Sequence, residues 1–172
     1  MPGLTRRKYD RHKMSHHTTI SLAAQSDRMR LMEVWEASVR ATHHFLSESD
    51  LELLIPAARE ELAHIAPIYC LRDADGSVYA FMAVEQGKIE MLFVAPTHRG
   101  SGAGRQLVEH AVAAMGAHQV DVNEENHLAV GFYEHLGFRT FGRAPVDPQG
   151  LPLPILRMEL PGATSRAPSP TV

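Results

Sequence analysis

The chain has 172 residues and a formal net charge of −3 at pH 7, which fits one globular domain and gives no reason to expect a nucleic-acid-binding surface. The single cysteine, Cys70, excludes an internal disulfide, and no apolar run is long enough to cross a bilayer. We therefore expect a cytoplasmic protein, monomeric or homodimeric, with neither nucleic acid nor a membrane as its partner.

The two ends of the sequence differ in composition from the part between them. Residues 1–17 carry basic side chains without the apolar core of a secretory signal, which predicts a disordered basic leader and leaves a nucleic-acid arm or a transit peptide as alternatives. Residues 161–172 are rich in proline, serine, alanine and threonine and are predicted to form a disordered tail. One folded domain is expected over residues 18–160.

The N-terminal half of this domain predicts two helices and then a meander of strands. Residues 18–22 alternate apolar and polar side chains as a strand does, and apolar residues spaced on one helix face continue to about Ala41. A second helical pattern covers residues 51–65, in which Pro56 should break or kink the helix. Antiparallel strands are expected at residues 68–71, 78–84 and 89–94, because turn sequences separate these apolar segments.

Helices and strands alternate in the C-terminal half. The periodicity predicts helices at residues 105–115 and 127–136, a strand between them near residues 119–123, and two last strands at residues 139–143 and 155–160. The predicted order along the chain is β-α-α-β-β-β-α-β-α-β-β. Composition and periodicity by themselves favour a single α/β or α+β domain and go no further.

A glycine-rich loop joins the third strand of the meander to the following helix. Gly100, Gly102 and Gly104 alternate there beside Arg99, and the first amides of a helix, at its positive dipole end, favour bound anions. The loop lacks the Gly-Lys-Ser/Thr of a Walker A motif, and its third glycine is misplaced for a dinucleotide fingerprint, although Asp121 has the spacing of a ribose-binding acid. The loop predicts a phosphate site, with an ordinary helix-capping turn as the alternative.

Two segments carry a resemblance to a known superfamily. Residues 94–104, V-x-P-x-x-R-G-x-G-x-G, resemble the acetyl-CoA loop of the GNAT N-acetyltransferases, and residues 126–138 resemble that superfamily's N-x-x-A-x-x-F-Y-x-x-x-G-F signature. Residues 41–46 and 123–126 are further similar to the small bacterial YjaB-type acetyltransferases. The resemblance implies an α/β fold of mixed α+β type, with a strongly twisted, mostly antiparallel mixed sheet flanked by helices, as a single GNAT acetyltransferase domain over residues 18–160.

The resemblance also implies an acid and a base. It places Tyr133 beside the coenzyme A sulfur, where the phenol would protonate the departing thiolate; the alternative is a tyrosine that packs on an amphipathic helix. Glu90 lies on the strand leading to the loop, where many GNAT enzymes carry a base, and a solvated strand residue is the alternative. Direct attack of an amine on the thioester needs no enzyme nucleophile.

The same resemblance implies residues for each of the two substrates. The Val94 amide is the expected oxyanion donor, while Asn126 binds the pantetheine arm, fixes the loop or caps its helix. His43, Phe45 and Asn123 are expected at the acceptor, and a structural histidine is the alternative for His43. The implied cofactor-binding residues are Phe93, Val94, Arg99, Gly100, Ser101, Gly102, Ala103, Gly104, Arg105, Asn126 and Tyr133.

These residues lead to one function and two alternatives. The sequence predicts an N-acetyltransferase that moves the acetyl group of acetyl-CoA, by direct attack in a ternary complex, to a primary amine of a small molecule or a protein lysine. A non-catalytic CoA-binding sensor or regulatory module is the main alternative, and a nucleotide-dependent oxidoreductase is a more distant one. No metal is expected, because the eleven histidines show no metal-ligand spacing.

Overall fold

The computed structural model describes residues 19–162, so the predicted leader, and the predicted tail beyond its first two residues, lie outside the described part of the chain. The predicted order of elements is confirmed. The elements are β1 (Ser21–Leu22), α1 (Arg28–Thr42), α2 (Glu48–His64), β2 (Ile68–Arg72), β3 (Val78–Glu85), β4 (Lys88–Val94), α3 (Ala103–Met115), β5 (Gln119–Asn123), α4 (His127–His135), β6 (Arg139–Ala144) and β7 (Ile155–Glu159).

The seven strands form one mixed sheet in the order β1-β2-β3-β4-β5-β7-β6. Every neighbouring pair is antiparallel except β4 and β5, which run parallel because α3 carries the chain back between them. The expected mostly antiparallel mixed sheet is therefore confirmed.

Helices cover both faces of the sheet at its centre. Six successive residues of β3, 78–83, are buried, as expected of a strand that is packed on both sides. Trp35 of α1 meets Phe93 with ring centroids 6.3 Å apart, and His110 of α3 meets Tyr69 at 5.4 Å. Cross-strand pairing places Phe93 on one face and Tyr69 on the other, so α1 and α3 lie on opposite sides.

Two helix boundaries differ from the prediction. The helix α2 begins at Glu48 instead of residue 51 and continues through Pro56, so that the helix is not broken there; a kink at Pro56 stays a prediction. Its early start comes from a capping box, in which the Ser47 side chain accepts from the Asp50 amide and the Asp50 carboxylate accepts from the Ser47 amide. Buried side chains further along α2 offset the proline penalty of about 3 kcal/mol. The helix α3 begins at Ala103 instead of residue 105, directly after Gly102.

The sheet opens between its two parallel strands. Strands β4 and β5 pair only at Lys88–Gln119 and Ile89–Val120, after which residues 90–94 and 121–123 no longer pair with each other. The opening coincides with a β-bulge in β4, because Met91 pairs with Ala83 and Ile89 pairs with Val84, leaving Glu90 opposite no residue of β3. The bulge bends β4 away from β5, and the gap between them becomes the floor of a cleft.

Candidate active site

A cleft of about 510 Å³ extends from the gap in the sheet to the N-termini of α3 and α4. Most of the residues predicted for the site lie in its wall, and two do not. Ser101 and Phe45 are absent from the lining; Phe45 instead packs against His43, with ring centroids 5.3 Å apart. The predicted residues that line the cleft are His43, Glu90, Phe93, Val94, Arg99, Gly100, Gly102, Ala103, Gly104, Arg105, Asn123, Asn126 and Tyr133.

The glycine loop opens onto the cleft with its backbone exposed. Gly100 and Gly102 have φ angles of +76° and +91°, which glycine adopts at little cost. No atom lies within 4 Å of the Cβ that a side chain would add at either position, so the loop faces open space. Gly104 differs, because an added Cβ would lie 3.3 Å from the Phe132 ring; its glycine lets α3 approach α4 closely.

Some backbone amides of the loop donate hydrogen bonds within the protein, and others are open to a ligand. The Ser101 amide donates to the His98 carbonyl at 3.3 Å, and the Ala103 amide donates to the Ser101 hydroxyl at 3.4 Å. The first helical bond of α3 runs from the Gln106 amide to the Gly102 carbonyl. Among residues 19–162, the amides of positions 102, 104 and 105 find no such acceptor, so they form a donor cluster at the helix N-terminus that fits an anionic group.

His98 anchors this loop, and sequence reasoning missed it. Its ring stacks on Tyr79 with centroids 4.2 Å apart, and its Nε2 lies 2.8 Å from an oxygen of the Asp73 carboxylate. These contacts connect the loop to the turn after β2 and to β3. No short-range sequence signal joins Asp73 to His98, which are 25 residues apart, so only the fold brings them together.

The end of β4 offers a backbone donor to the cleft. The Ala95 amide bonds to the Tyr79 carbonyl on β3 at 2.7 Å. Because successive amides of a strand point to opposite edges, the Val94 amide points toward the gap between β4 and β5. This orientation matches the role expected for Val94 as a donor to a bound group.

Tyr133 is buried at the wall of the cleft. It is 6% exposed, and its ring packs edge-on against Phe132 and Phe138 at centroid distances of 5.0 and 5.4 Å. Burial raises the pKa of the Tyr133 phenol well above its ordinary value, because the charged phenolate is poorly solvated there. The hydroxyl therefore carries its proton at neutral pH and can serve as a donor.

Glu90 is the bulged residue of β4, and it is held in an ion-pair chain. Its carboxylate lies 3.2 Å from the Lys88 ammonium, which also pairs with Asp121 at 3.0 Å. Its neighbours Ile89 and Met91 are buried while Glu90 is partly exposed. The bulge interrupts the predicted alternation, because Ile89 and Met91 pair with adjacent residues of β3, which point to opposite faces. Glu90 thus faces the cleft with a cation already bound to it.

His43 and Asn126 meet in the lining of the cleft, although 83 residues separate them in sequence. His43 Nδ1 lies 2.7 Å from the Thr42 hydroxyl, and its Nε2 lies 3.5 Å from the Asn126 side-chain amide nitrogen. Asn126 is also the N-cap of α4, since its side-chain oxygen accepts from the Ala129 amide at 3.2 Å. Burial lowers the pKa of the His43 imidazole, and the nearby His44 adds to the lowering.

Within residues 19–162, no three side chains of histidine, cysteine, aspartate or glutamate are grouped so that they could hold a metal ion. None of the helices in this range has the length and apolarity needed to cross a membrane.

Comparison with known proteins identifies the class of molecule. A family model described as an acetyltransferase (GNAT) domain matches residues 64–140. The peptidyl-lysine N-acetyltransferase YjaB of Escherichia coli K12 is 38% identical over 136 residues, which cover 77% of this chain and 90% of YjaB. The solution structure of apo-form YjaB has a TM-score of 0.77 at 36% identity and covers 84% of this chain and 97% of that one.

A more distant structure shares the fold. The PaiA N-acetyltransferase of Thermoplasma acidophilum, solved in complex with coenzyme A, has a TM-score of 0.63 at 19% identity, covering 83% of this chain and 98% of that one. The family model and the YjaB relatives identify the chain as an acyl-CoA-dependent N-acyltransferase. The chain belongs to the GNAT N-acetyltransferase superfamily and, within it, is of the YjaB type. It is an acetyltransferase, and the oxidoreductase alternative is therefore excluded.

Proposed function

We propose that this enzyme transfers the acetyl group of acetyl-CoA to the side-chain amine of a lysine in a protein, by direct attack within a ternary complex. The observation that carries the proposal is the cleft, in which a donor cluster at the start of α3 and the buried Tyr133 hydroxyl lie on one continuous wall. The relative YjaB is named as a peptidyl-lysine acetyltransferase, and this favours a protein lysine over a small-molecule amine as the acceptor.

The residues present fit coenzyme A. The available amides at positions 102, 104 and 105 would bind its pyrophosphate, with Arg99 and Arg105 at the exposed rim supplying positive charge. The open edge of β4 at Phe93 and Val94 would pair with the amide groups of the pantetheine arm, much as an added strand would. Asn126 borders the same wall.

Three groups of the chain then serve the chemistry. Acetyl-CoA, when bound, supplies the activated acetyl thioester. The Val94 amide donates to the carbonyl oxygen as negative charge develops on it. Tyr133 gives its proton to the departing sulfur; because burial makes this phenol a weak acid, the donation occurs only as the sulfur becomes negative. The third group removes a proton from the lysine ammonium, and Glu90 and His43 are the two candidates in the cleft.

An acceptor panel tests the proposal. Purified protein is incubated with acetyl-CoA and, in turn, Nα-blocked lysine peptides, peptides with a free N-terminus and small polyamines, and thiol release is followed. We expect release with the lysine peptides, with the acetyl group located on Nε by mass spectrometry. Calorimetric binding of coenzyme A without transfer to any amine would establish the sensor alternative, and absence of binding would refute the cofactor assignment.

A further inference from the structure

We infer that His43 is the group that removes the proton from the acceptor ammonium, and that Thr42 and Asn126 position its ring for this step. The inference rests on the proposed function and names a catalytic base for it. Three features of the cleft support this assignment: the contacts at the two ring nitrogens of His43, the ion pairs of Glu90, and the burial of the His43 ring.

Hydrogen bonding places a proton on His43 Nδ1. The Thr42 hydroxyl has one hydrogen, and it donates this hydrogen to the Ser38 carbonyl in the preceding turn of α1 at 2.8 Å. The same oxygen lies 2.7 Å from His43 Nδ1, and both contacts are hydrogen bonds only if Nδ1 donates to this oxygen. A neutral histidine with its proton on Nδ1 has its lone pair on Nε2.

The contact at the other nitrogen fits the same tautomer. The Asn126 side-chain oxygen accepts from the Ala129 amide, which orients the Asn126 NH₂ group toward His43. Nε2 lies 3.5 Å from this NH₂ group, and two donors cannot face each other at favourable energy, so Nε2 is the acceptor. The contact is long, so an incoming ammonium can displace it at low cost.

Glu90 is the weaker candidate for this proton transfer. Lys88 lies 3.2 Å from one of its oxygens and is also held by Asp121, so proton uptake by Glu90 would weaken an existing ion pair, whereas His43 Nε2 has only a 3.5 Å contact to give up. We assign Glu90 to the attraction of a cationic acceptor, since its carboxylate and that of Asp121 bring two negative charges against the single charge of Lys88.

The burial of His43 ensures that the base is ready at neutral pH. Its pKa is lowered by desolvation and by the neighbouring His44, so the neutral form prevails at pH 7 and is lost only as the pH falls below this lowered value. The other titratable or charged groups that line the same cleft are Glu90 on β4, His98, Arg99 and Arg105 around the loop, Asp121 on β5, and Tyr133 and His135 on α4.

The proton balance of the step closes without any additional reactant. His43 Nε2 takes one proton from R–NH₃⁺, and the resulting R–NH₂ forms the new N–C bond as the C–S bond breaks. Tyr133 gives its proton to the sulfur and recovers one from the nitrogen, which loses a second proton on becoming an amide. His43 then releases its proton to solvent, so that one proton is liberated for each acetyl group transferred.

Nitrogen NMR of the protein without substrates tests the tautomer directly. Long-range ¹⁵N–¹H spectra of uniformly labelled protein at pH 7.5 distinguish Nδ1–H from Nε2–H histidine. We expect His43 to be in the Nδ1–H form, to retain it in Thr42→Ser, and to become a mixture of tautomers in Thr42→Val. An Nε2–H form in the wild-type protein would overturn the inference without reference to activity.

Kinetics test the role of the base, with the adjacent histidine as a matched control. His43→Gln should lower kcat/KM for the lysine peptide about 100-fold or more at pH 7, with the Kd for coenzyme A unchanged. His44→Gln should have a far smaller effect, because His44 acts on the base only through its charge. The deficit of His43→Gln should shrink more than tenfold between pH 7 and pH 9, because the free-amine fraction of lysine rises about tenfold per pH unit below its pKa near 10.4.

The two proposals fail in distinguishable ways. A wild-type protein that acetylates no amine refutes the proposed function. An active wild-type protein with an unaffected His43→Gln variant refutes only the assignment of His43. A deficit that stays constant from pH 7 to pH 9 shows that His43 is structural, and it also overturns the assignment.

Discussion

Replacing Gly102 by glutamate tests whether the N-terminus of α3 holds the pyrophosphate. Gly102 has a φ of +91°, and a residue with a side chain is strained there by about 1–2 kcal/mol. No atom lies within 4 Å of the added Cβ, so backbone strain is the only structural cost. In a protein of this size, that strain corresponds to a fall in Tm of about 2–8 °C.

The effect on binding is larger than the effect on folding. A carboxylate about 5 Å from one phosphate charge costs about 3 kcal/mol at an effective dielectric constant of 20, which raises Kd about 150-fold. Coenzyme A at 100 times the wild-type Kd stabilises the wild-type protein by about 2.7 kcal/mol, or about 5–11 °C in Tm. At the same concentration the Gly102→Glu variant gains only about 0.3 kcal/mol, or about 1 °C.

The assay is a thermal melt with and without coenzyme A, and Gly76 provides the control. Gly76 lies in the turn between β2 and β3, outside the cleft lining, with a φ of +85° and no atom within 4 Å of the Cβ that a side chain would add. Gly76→Glu should therefore lose a similar amount of stability and retain the full gain from coenzyme A. A wild-type gain in Gly102→Glu would show that the pyrophosphate binds elsewhere.

Two further predictions concern the acid and an ion pair. Tyr133→Phe should lower kcat about 100-fold or more and leave the Kd for coenzyme A unchanged, because only the hydroxyl is lost; an unaffected chemical step would mean that water protonates the sulfur. Hydrogen bonds from Arg72 at 2.7 and 3.0 Å lower the pKa of Asp27, so this pair stabilises the fold above about pH 4 and is lost as the pH falls through the lowered pKa. The Tm of Asp27→Asn should consequently fall less steeply than that of wild type between about pH 4 and pH 2; equal slopes would contradict this account.

Hydrophobic periodicity was sufficient to predict the order of the elements. Each helix or strand buries a face of its own, so the pattern is local and visible in sequence. The continuation of α2 through Pro56 was not predictable in this way, because packing along the helix outweighs the local penalty of the proline. The start of α3 at Ala103 depended on the backbone angles of Gly102, which a sequence does not state.

The sequence motifs of the site could be predicted, but the spatial contacts between its residues could not. The resemblance supplied the loop, Tyr133 and the expectation of His43 at the acceptor, but it did not give the contact between His43 and Asn126, which are 83 residues apart. The bulge at Glu90 was also hidden, since regular alternation describes its neighbours equally well. Long-range contacts and register changes arise only in the folded sheet, so they cannot be predicted from local sequence patterns.

The opening between β4 and β5 gives this protein sheet edges in its interior instead of only at its margins. Exposed edges invite pairing with strands of other molecules, and proteins normally shield them with charges, prolines or short strands. Here α1, α3 and α4 border the opening, so another protein's strand has little access while a narrow, flexible ligand can enter. The fold thereby keeps unpaired backbone N–H groups available to a bound ligand. At an outer edge of the sheet, the same groups would favour aggregation.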